Sequence, residues 1–251
     1  MTNNLIFLCA AGFFAAFVDS IAGGGGIISV PAFLLAGIPP HLSLGTNKFS
    51  SSCASLTSSI KFARSGKVDF QLLKFLIPFT FIGAILGVNS VLSINTTYLN
   101  TIVLVLLLFV GIYSLFSKNI GVIDNFKGLS KKGIFYGILL ALSLGFYDGF
   151  FGPGTGSFLI FGLINIFSFD FLRASGNGKV LNFISNIASL GMFAIRGQIN
   201  YRIGIPVALF MMIGARFGTK VALTNGAKLI KPIFVTMSLA VAGKMLFGMI
   251  K

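Results

Sequence analysis

Residues 19–26 read DSIAGGGG and residues 148–156 read DGFFGPGTG, and both glycine-rich stretches interrupt long apolar runs. In lipid every backbone polar group needs a partner, so a helix breaks only where the break is buried or lines a cavity. A helix that restarts there points free N–H groups and its positive dipole end at the cavity. The two breaks therefore predict an anion site near the middle of a membrane. The alternative is tight helix packing through small residues.

The composition places these breaks in a membrane. Of the 251 residues 55% are hydrophobic and 10% are charged, and Glu is absent. Soluble domains carry about 25% charged residues. These figures exclude a disordered chain, collagen, a coiled coil and an ordinary cytosolic enzyme. We predict an all-α polytopic membrane protein with about eight to ten membrane segments, since a spanning helix needs about 20 residues.

The basic residues are read best as a topological signal. The formal net charge is +14, with 19 Lys and Arg against five Asp. The basic residues cluster at the ends of apolar runs, as the positive-inside rule requires. The predicted surroundings are therefore a lipid bilayer, with no nucleic-acid partner. An inner surface that attracts anions is the second interpretation.

The rare reactive residues argue against catalysis and cofactors. The chain has one His, His41, and two cysteines inside apolar segments, Cys9 and Cys53. This set predicts neither a metal site nor a disulfide framework, and no nucleophile–base arrangement stands out. We therefore expect no enzyme activity and no cofactor. Residues 1–4 lack a basic stretch, so we expect no cleaved signal peptide. We expect a multi-pass protein of the bacterial inner (plasma) membrane, because helical bundles of this kind occur there.

Apolar runs divide the chain into five segments in each half. The second segment of each half is too short to span a bilayer comfortably, and it follows a glycine-rich break. The predicted segments of the first half are 4–20, 26–37, 43–64, 69–91 and 98–117. Those of the second half are 133–149, 155–167, 174–196, 201–222 and 229–250.

The two halves align with each other. Asp19 matches Asp148 at an offset of 129 residues, and Lys48 matches Lys179 at an offset of 131. We predict membrane repeats at 1–117 and 133–251, joined by a basic loop at 118–132. An odd number of crossings in each half makes the repeats inverted, whereas one broken helix per half makes them parallel. Inversion puts the basic loops on one side and is favoured.

A second paired motif adds cations to the breaks. Residues 45–48 read GTNK and residues 176–179 read GNGK. An ionisable residue inside a membrane is costly and points to function, although a Lys can also extend to the interface. Two ammonium groups would suit an acidic oxyanion, with Asn and Thr as hydrogen-bond donors. The predicted substrate-binding residues are Gly23, Gly24, Gly25, Gly26, Thr46, Asn47, Lys48, Gly152, Gly154, Thr155, Gly156, Asn177 and Lys179.

Small polar side chains follow each Lys at helical spacing. The predicted permeation wall is formed by Ser50, Ser51, Asn182 and Ser185, and interhelical hydrogen bonding is the alternative role. Asp19 and Asp148 each stand four residues before a break. They are candidates to carry a coupling proton, or to cap a half-helix or pair with Lys48 or Lys179.

The motifs together resemble the sulfite exporter TauE/SafE family, also described as the sulfonate-uptake permease family. The resemblance covers nearly the whole chain. It implies a transporter of sulfite, sulfonates or related sulfur oxyanions. Where a familiar second-half pattern has Thr or Ser before the Lys, this chain has Asn177 and Gly178. The motifs that carry the resemblance are residues 23–26, Pro31, 37–40, 45–48 and 66–69, with 152–154 and 176–179 as a weaker second copy.

The predicted function is a secondary transporter of small anions that works by alternating access. The substrate would be sulfite, an organosulfonate or a related sulfur oxyanion or carboxylate, with a proton as candidate coupling ion. An anion channel and a membrane scaffold subunit without transport are the alternatives. The sequence leaves open the direction of transport and the oligomeric state.

Overall fold

A computed structural model describes residues 2–95, 98, 99, 102, 105 and 123–225. Within these residues the protein contains eight α-helices and no strand, which confirms the predicted all-helical class. The predicted segment 229–250 and most of 98–117 lie outside the described residues. The helices are α1 (Thr2–Ala22), α2 (Gly26–Leu35), α3 (Pro40–Arg64), α4 (Phe70–Leu92), α5 (Lys131–Phe150), α6 (Thr155–Phe167), α7 (Phe171–Ile195) and α8 (Tyr201–Asn225).

Five of these helices are long and apolar enough to cross a membrane: α1, α4, α5, α7 and α8. Helix α3 has 25 residues, but its Ser-rich sequence is too polar to count among them. Helices α2 and α6 have 10 and 13 residues. At about 1.5 Å per residue they cover roughly half to two-thirds of the hydrocarbon layer. Large apolar side chains on the outer faces, such as Phe14, Leu86 and Phe217, are exposed as lipid contact requires.

The order of contacts between helices gives their directions. Thr46 contacts Asn200, Ser50 contacts Gly204 and Lys61 contacts Arg216, so α3 and α8 run parallel. Helices α1 and α8 are also parallel, because Phe13 and Phe17 lie against Gly214 and Gly218 in the same order.

The other three long helices run the opposite way. Lys48 of α3 contacts Asn186 of α7, while Gly45 at the start of α3 lies against Gln198, just beyond the end of α7. These two helices are therefore antiparallel. His41 near the start of α3 bonds to Val91 at the end of α4, which makes α3 and α4 antiparallel. Helix α5 runs parallel to α4, since successive glycines of the two helices meet in the same order.

Glycine pairs let the helices of the two halves touch backbone to backbone. A Cβ on Gly83 would lie 2.3 Å from the Leu142 carbonyl oxygen, and one on Gly87 would lie 2.1 Å from that of Phe146. The same spacing recurs where α8 meets α1: a Cβ on Gly214 would lie 2.2 Å from the Phe13 oxygen. Each half thus packs its fourth helix against the first helix of the other half. These contacts follow the register of the predicted repeat, and the duplication itself stays a prediction.

The basic residues gather at one end of the helices. This end contains the end of α3, the end of α8 and the beginnings of α4, α5 and α7. The positive-inside rule predicts that it faces the cytoplasm. The opposite end has only Arg196 and Arg202 among the described Lys and Arg residues. The cations at the basic end are Lys61, Arg64, Lys67, Lys74, Lys127, Lys131, Lys132, Arg173, Arg216 and Lys220.

At the basic end Arg173 ties the described part of the inter-repeat loop to both halves. Its guanidinium group donates to Asp69 at 2.7 Å and to Asp124 at 3.2 Å. It also lies over the rings of Phe126 and Phe169, 4.3 and 4.4 Å from their centroids. Both carboxylates and both rings hold one cation, so this junction joins the start of α4, the loop and the start of α7.

Candidate anion site

The two glycine-rich breaks meet in the interior of the protein. Gly23, Gly152 and Gly154 have φ angles of +81°, +98° and +84°, which side chains with a Cβ rarely adopt. A Cβ on Gly23 would lie 2.3 Å from the Gly156 carbonyl carbon. The Ser157 N–H donates to the Gly23 oxygen at 3.0 Å. The sequence forms breaks here because only glycine permits both the turn and this backbone contact.

After the first break the chain turns back along α1. A Cβ on Gly25 would lie 2.5 Å from the Ala15 oxygen, one turn before Asp19. Ala32 and Phe33 of α2 then share an apolar cluster with Leu8 near the start of α1. Helix α2 therefore folds against α1 as a re-entrant element rather than continuing it. The inverted repeat itself stays a prediction.

Two ion pairs flank the breaks, and each joins one half of the chain to the other. The Lys48 Nζ atom lies 2.8 Å from the Asp148 Oδ2 atom, and Lys179 Nζ lies 2.5 Å from Asp19 Oδ2. Both side chains of the first pair are buried, and each is 3% exposed. In the second pair Lys179 is 1% exposed and Asp19 is 21% exposed. Of the two carboxylates, Asp19 is the one open to water.

Further polar groups complete the two pairs. Asn186 accepts from Lys48 Nζ at 3.1 Å through its Oδ1 atom. The Ser185 hydroxyl donates to Asp148 Oδ2 at 2.5 Å. At the other pair the Gly25 N–H, at the start of α2, donates to Asp19 Oδ1 at 3.2 Å. A helix N-terminus and two ammonium groups therefore already hold anionic oxygens, and those oxygens belong to the protein.

A small polar cavity lies between the breaks and the ion pairs. Its volume of about 30 Å³ is room for one or two waters and is too small for a sulfur oxyanion. The lining combines α1 and α3 with α5 and α7, both breaks and one side chain of α8. The lining residues are Asp19, Gly23, Gly25, Gly26, Asn47, Lys48, Ser51, Ala54, Asp148, Gly152, Gly154, Gly156, Asn182, Asn186 and Met211.

Most of the predicted binding, pathway and coupling residues lie on this lining. The exceptions make other contacts. Thr46 accepts from the Asn200 N–H at 2.9 Å, and Asn177 accepts from the Asp69 N–H at 2.9 Å. These two contacts connect the halves at opposite ends of the protein and match each other in the repeat register. Lys179 does not line the cavity, but it contacts Asp19, which does.

Four more predicted residues also lie off the lining. Ser50 donates to the Gly204 oxygen at 3.1 Å, which is the interhelical role considered for the polar stripe. Ser185 acts on the cavity through Asp148. Thr155 donates to the Gly152 oxygen at 2.8 Å, and the Gly24 oxygen accepts from Ile27, so both shape the breaks.

Three lining residues, Ala54, Asn186 and Met211, are not among the site residues predicted from the sequence. Asn186 is a direct partner of Lys48. The signal that could have found it is its position four residues after Asn182 and seven after Lys179, on the same helical face. Met211 carries no polar group, and nothing in its sequence context distinguishes it from other apolar residues of α8.

The described residues contain no cluster of His, Cys and acidic side chains that could hold a metal ion. Cys9 and Cys53 are free. The groups at the site are two cations, two carboxylates, amides and backbone N–H groups in a buried space.

Comparisons with known proteins identify the family. The sequence model of the sulfite exporter TauE/SafE family matches residues 8–245. A probable membrane transporter protein of Haemophilus influenzae is 38% identical over 243 residues, which cover 97% of this chain and 94% of that protein.

Other bacterial relatives agree with this match. A probable membrane transporter protein of Sinorhizobium sp., ORF9, is 38% identical over 96% of this chain and 92% of its own. The probable membrane transporter protein YfcA of Escherichia coli is 34% identical over 93% of this chain and 86% of that protein. No solved structure matches the chain. The chain belongs to the sulfite exporter TauE/SafE family and is a multi-pass membrane transporter protein.

Proposed function

We propose that the protein is a secondary transporter of small anions, with sulfite or a related sulfur oxyanion, sulfonate or carboxylate as substrate. The observation that carries the proposal is the pair of buried Lys–Asp contacts that cross between the halves at two facing helix breaks. Ionisable residues this deep in a membrane protein are costly to retain for packing alone.

The binding site would be formed at the Lys48 end of the cavity. Lys48 lines the cavity, and its neighbours Asn47, Ser51 and Asn182 supply amide and hydroxyl groups. Residues of both breaks, at the starts of α2 and α6, line the same cavity. Ammonium and helix N-termini favour oxyanions, and amides add directional hydrogen bonds. An oxyanion that enters would take the place of the Asp148 carboxylate at Lys48.

Alternating access is supported by the geometry of the halves. Helices α1 and α5, which begin the two halves, run in opposite directions, and each half packs its fourth helix on the first helix of the other. These features support an inverted repeat of the kind found in rocking transporters. The cavity is also too small for the substrate, so a wider conformation is part of the proposal.

The choice of substrate rests on the family and on the donor set. The family is described by sulfite export, and sulfite carries three oxygens that ammonium, amide and backbone N–H groups can hold. Protons are the proposed coupling ions, through Asp19 or Asp148, which line the cavity. A channel is the competing function and would show anion conductance that needs no counter-substrate.

Thermal unfolding of the purified protein against sulfite, sulfate, thiosulfate, sulfoacetate, acetate and chloride tests the proposed substrate. A ligand that binds only the folded state raises its stability, by about 2.7 kcal/mol at a hundredfold excess over Kd. We expect stabilisation by sulfite or a close relative and none by chloride. Lys48→Ala should remove the effect, while Lys74→Ala, at an exposed lysine of α4, should keep it.

Equal stabilisation of wild type and Lys48→Ala would place the anion elsewhere. The absence of any shift across the panel would contradict the substrate class.

A further inference from the structure

We propose that the anion is carried together with one proton for each of its negative charges, taken up by Asp148 and Asp19, so that transport moves no net charge. This inference rests on the proposed function and states how many protons the same site carries with each anion. It follows from the charges around the cavity and from what each charge already contacts.

The buried charges of the described site sum to zero. Lys48 and Lys179 are each matched by one carboxylate, Asp148 and Asp19. An added anion would leave an uncompensated negative charge in a space with room for only one or two waters. An unpaired buried charge is strongly unfavourable, and proteins avoid it by neutralising a titratable group.

Asp19 and Asp148 are the groups that can provide this neutralisation. Both line the cavity, whereas α2 and α6 contribute no ionisable residue and α8 contributes Met211. The nearby Tyr147 hydroxyl is occupied by donation to the Pro153 oxygen at 2.7 Å. The thiols of Cys9 and Cys53 lie within α1 and α3 but off the cavity lining, and the other ionisable groups of the described helices lie toward the helix ends.

The contacts of Asp148 show how a proton and an anion would bind together. The proton comes from the aqueous side to which the cavity is open and forms an O–H bond on the Asp148 carboxylate. The neutral acid still accepts from Ser185, and its O–H gains an oxygen of the anion as acceptor. Lys48 keeps its charge and turns its N–H bond from Asp148 to the anion. On release both bonds revert and the proton leaves on the other side.

Asp19 supplies the second proton when the substrate is a dianion. Its carboxylate holds the Gly25 N–H at the start of α2 as well as Lys179. Neutralising it frees this helix terminus and Lys179 for a second anionic oxygen. Because Asp19 is 21% exposed and Asp148 only 3%, water reaches Asp19 first in this conformation.

The test is accumulation of sulfite in proteoliposomes of the full-length protein, with the membrane potential and the pH gradient set independently. A potential of about 100 mV biases the equilibrium accumulation about 50-fold for each net charge moved. We expect no change with potential for the wild type. An inward gradient of one pH unit should raise accumulation of total sulfite by about tenfold or more, since a tenfold ratio corresponds to each proton carried. The criterion holds for both protonation states of sulfite.

Two variants assign the carboxyl groups. Asp148→Asn is isosteric and neutral, so its affinity for sulfite should rise less steeply than that of the wild type as the pH falls, by the one proton that Asp148 no longer takes up. Its accumulation should follow the potential. Asp124→Asn, at an ion pair of the inter-repeat loop far from the cavity, is the matched control and should behave like the wild type. If Asp148→Asn fails to fold, the wild-type potential test still decides the question.

The outcomes separate this inference from the proposed function. If sulfite accumulation in the wild type shifts about 50-fold with about 100 mV, transport is not electroneutral and the inference is wrong, while the proposed function as an anion transporter is unaffected. Absence of sulfite accumulation under every gradient overturns both. Electroneutral accumulation with unchanged pH dependence in Asp148→Asn and Asp19→Asn would show that the protons are not carried by these two carboxyl groups.

Discussion

Replacing Lys48 with Met is expected to lower the free energy of unfolding by about 3–5 kcal/mol, since removing one partner of a buried ion pair leaves an uncompensated charge. The partner left behind is Asp148, whose side chain is 3% exposed. Ser185 would then be the one remaining donor to that carboxylate that the structure shows. The measurement is chemical or thermal unfolding in detergent, with wild type and variant compared at the same pH.

The double variant Lys48→Met, Asp148→Leu is the decisive companion. Replacing a whole buried pair by apolar residues is often neutral or stabilising, so most of the loss should be recovered. Lys74→Met, at an exposed lysine of α4, is the matched control and should stay within about 0.5 kcal/mol of the wild type. A single Lys48→Met variant as stable as Lys74→Met would mean that the pair is not formed in the membrane protein.

Gly23→Ala should be strongly damaging, because a conformational cost and a backbone clash combine at this residue. The residue has φ +81°, and a Cβ would lie 2.3 Å from the Gly156 carbonyl carbon and 2.4 Å from the Ser157 nitrogen. The left-handed conformation costs about 1–2 kcal/mol for an L-residue, and overpacking adds about 1–3 kcal/mol. Because the obstacle is backbone of the other half, no side chain can move away. We expect little folded protein on size-exclusion chromatography.

Gly37→Ala separates the two causes. Gly37 has φ +79°, but a Cβ there would meet no atom within 4 Å. It therefore carries the conformational cost without the contact between halves, and the folded protein should survive with a loss of about 1–2 kcal/mol. Equal behaviour of the two variants would show that the breaks do not touch as described.

Helix boundaries were predictable where Gly, Pro or Asp residues mark the ends of an apolar run. The predicted segment 155–167 coincides with α6, and 69–91 differs from α4 by one residue at each end. Gly, Pro and Asp residues mark these limits, and their local conformational preferences act without tertiary context. The start of α3 was placed at residue 43, whereas Pro40 begins it, because proline fits the first turn of a helix and was read as loop.

The site was predictable in composition and only partly in pairing. Paired glycine breaks and paired lysines pointed to one cavity because such residues are costly in lipid. The sequence left open whether each Asp would cap, couple or pair, and with which Lys. The structure pairs Asp19 with Lys179 and Asp148 with Lys48, partners 160 and 100 residues apart. Such contacts depend on how the halves dock, which no local pattern encodes.

The roles of Thr46 and Asn177 show the same limit. Both stand beside the paired lysines, and their types suit anion binding, yet each bonds a backbone N–H of the other half. On a helix, neighbouring residues point in different directions, about 100° apart, so closeness in sequence to Lys48 or Lys179 does not place a side chain in the cavity. Asn186 lies about two turns after Lys179 on α7, and this spacing brings its side chain to the cavity although the two residues are not adjacent in sequence.

Counterflow of labelled sulfite tests most directly the claim that an anion is carried at the Lys48 site. Proteoliposomes loaded with unlabelled sulfite are diluted into a trace of labelled sulfite, without pH gradient or membrane potential. We predict transient accumulation of label in the wild type and in Lys74→Ala, and loss of that accumulation in Lys48→Ala. Accumulation that persists unchanged in Lys48→Ala, or that is absent from the wild type while anion conductance is present, would contradict the account.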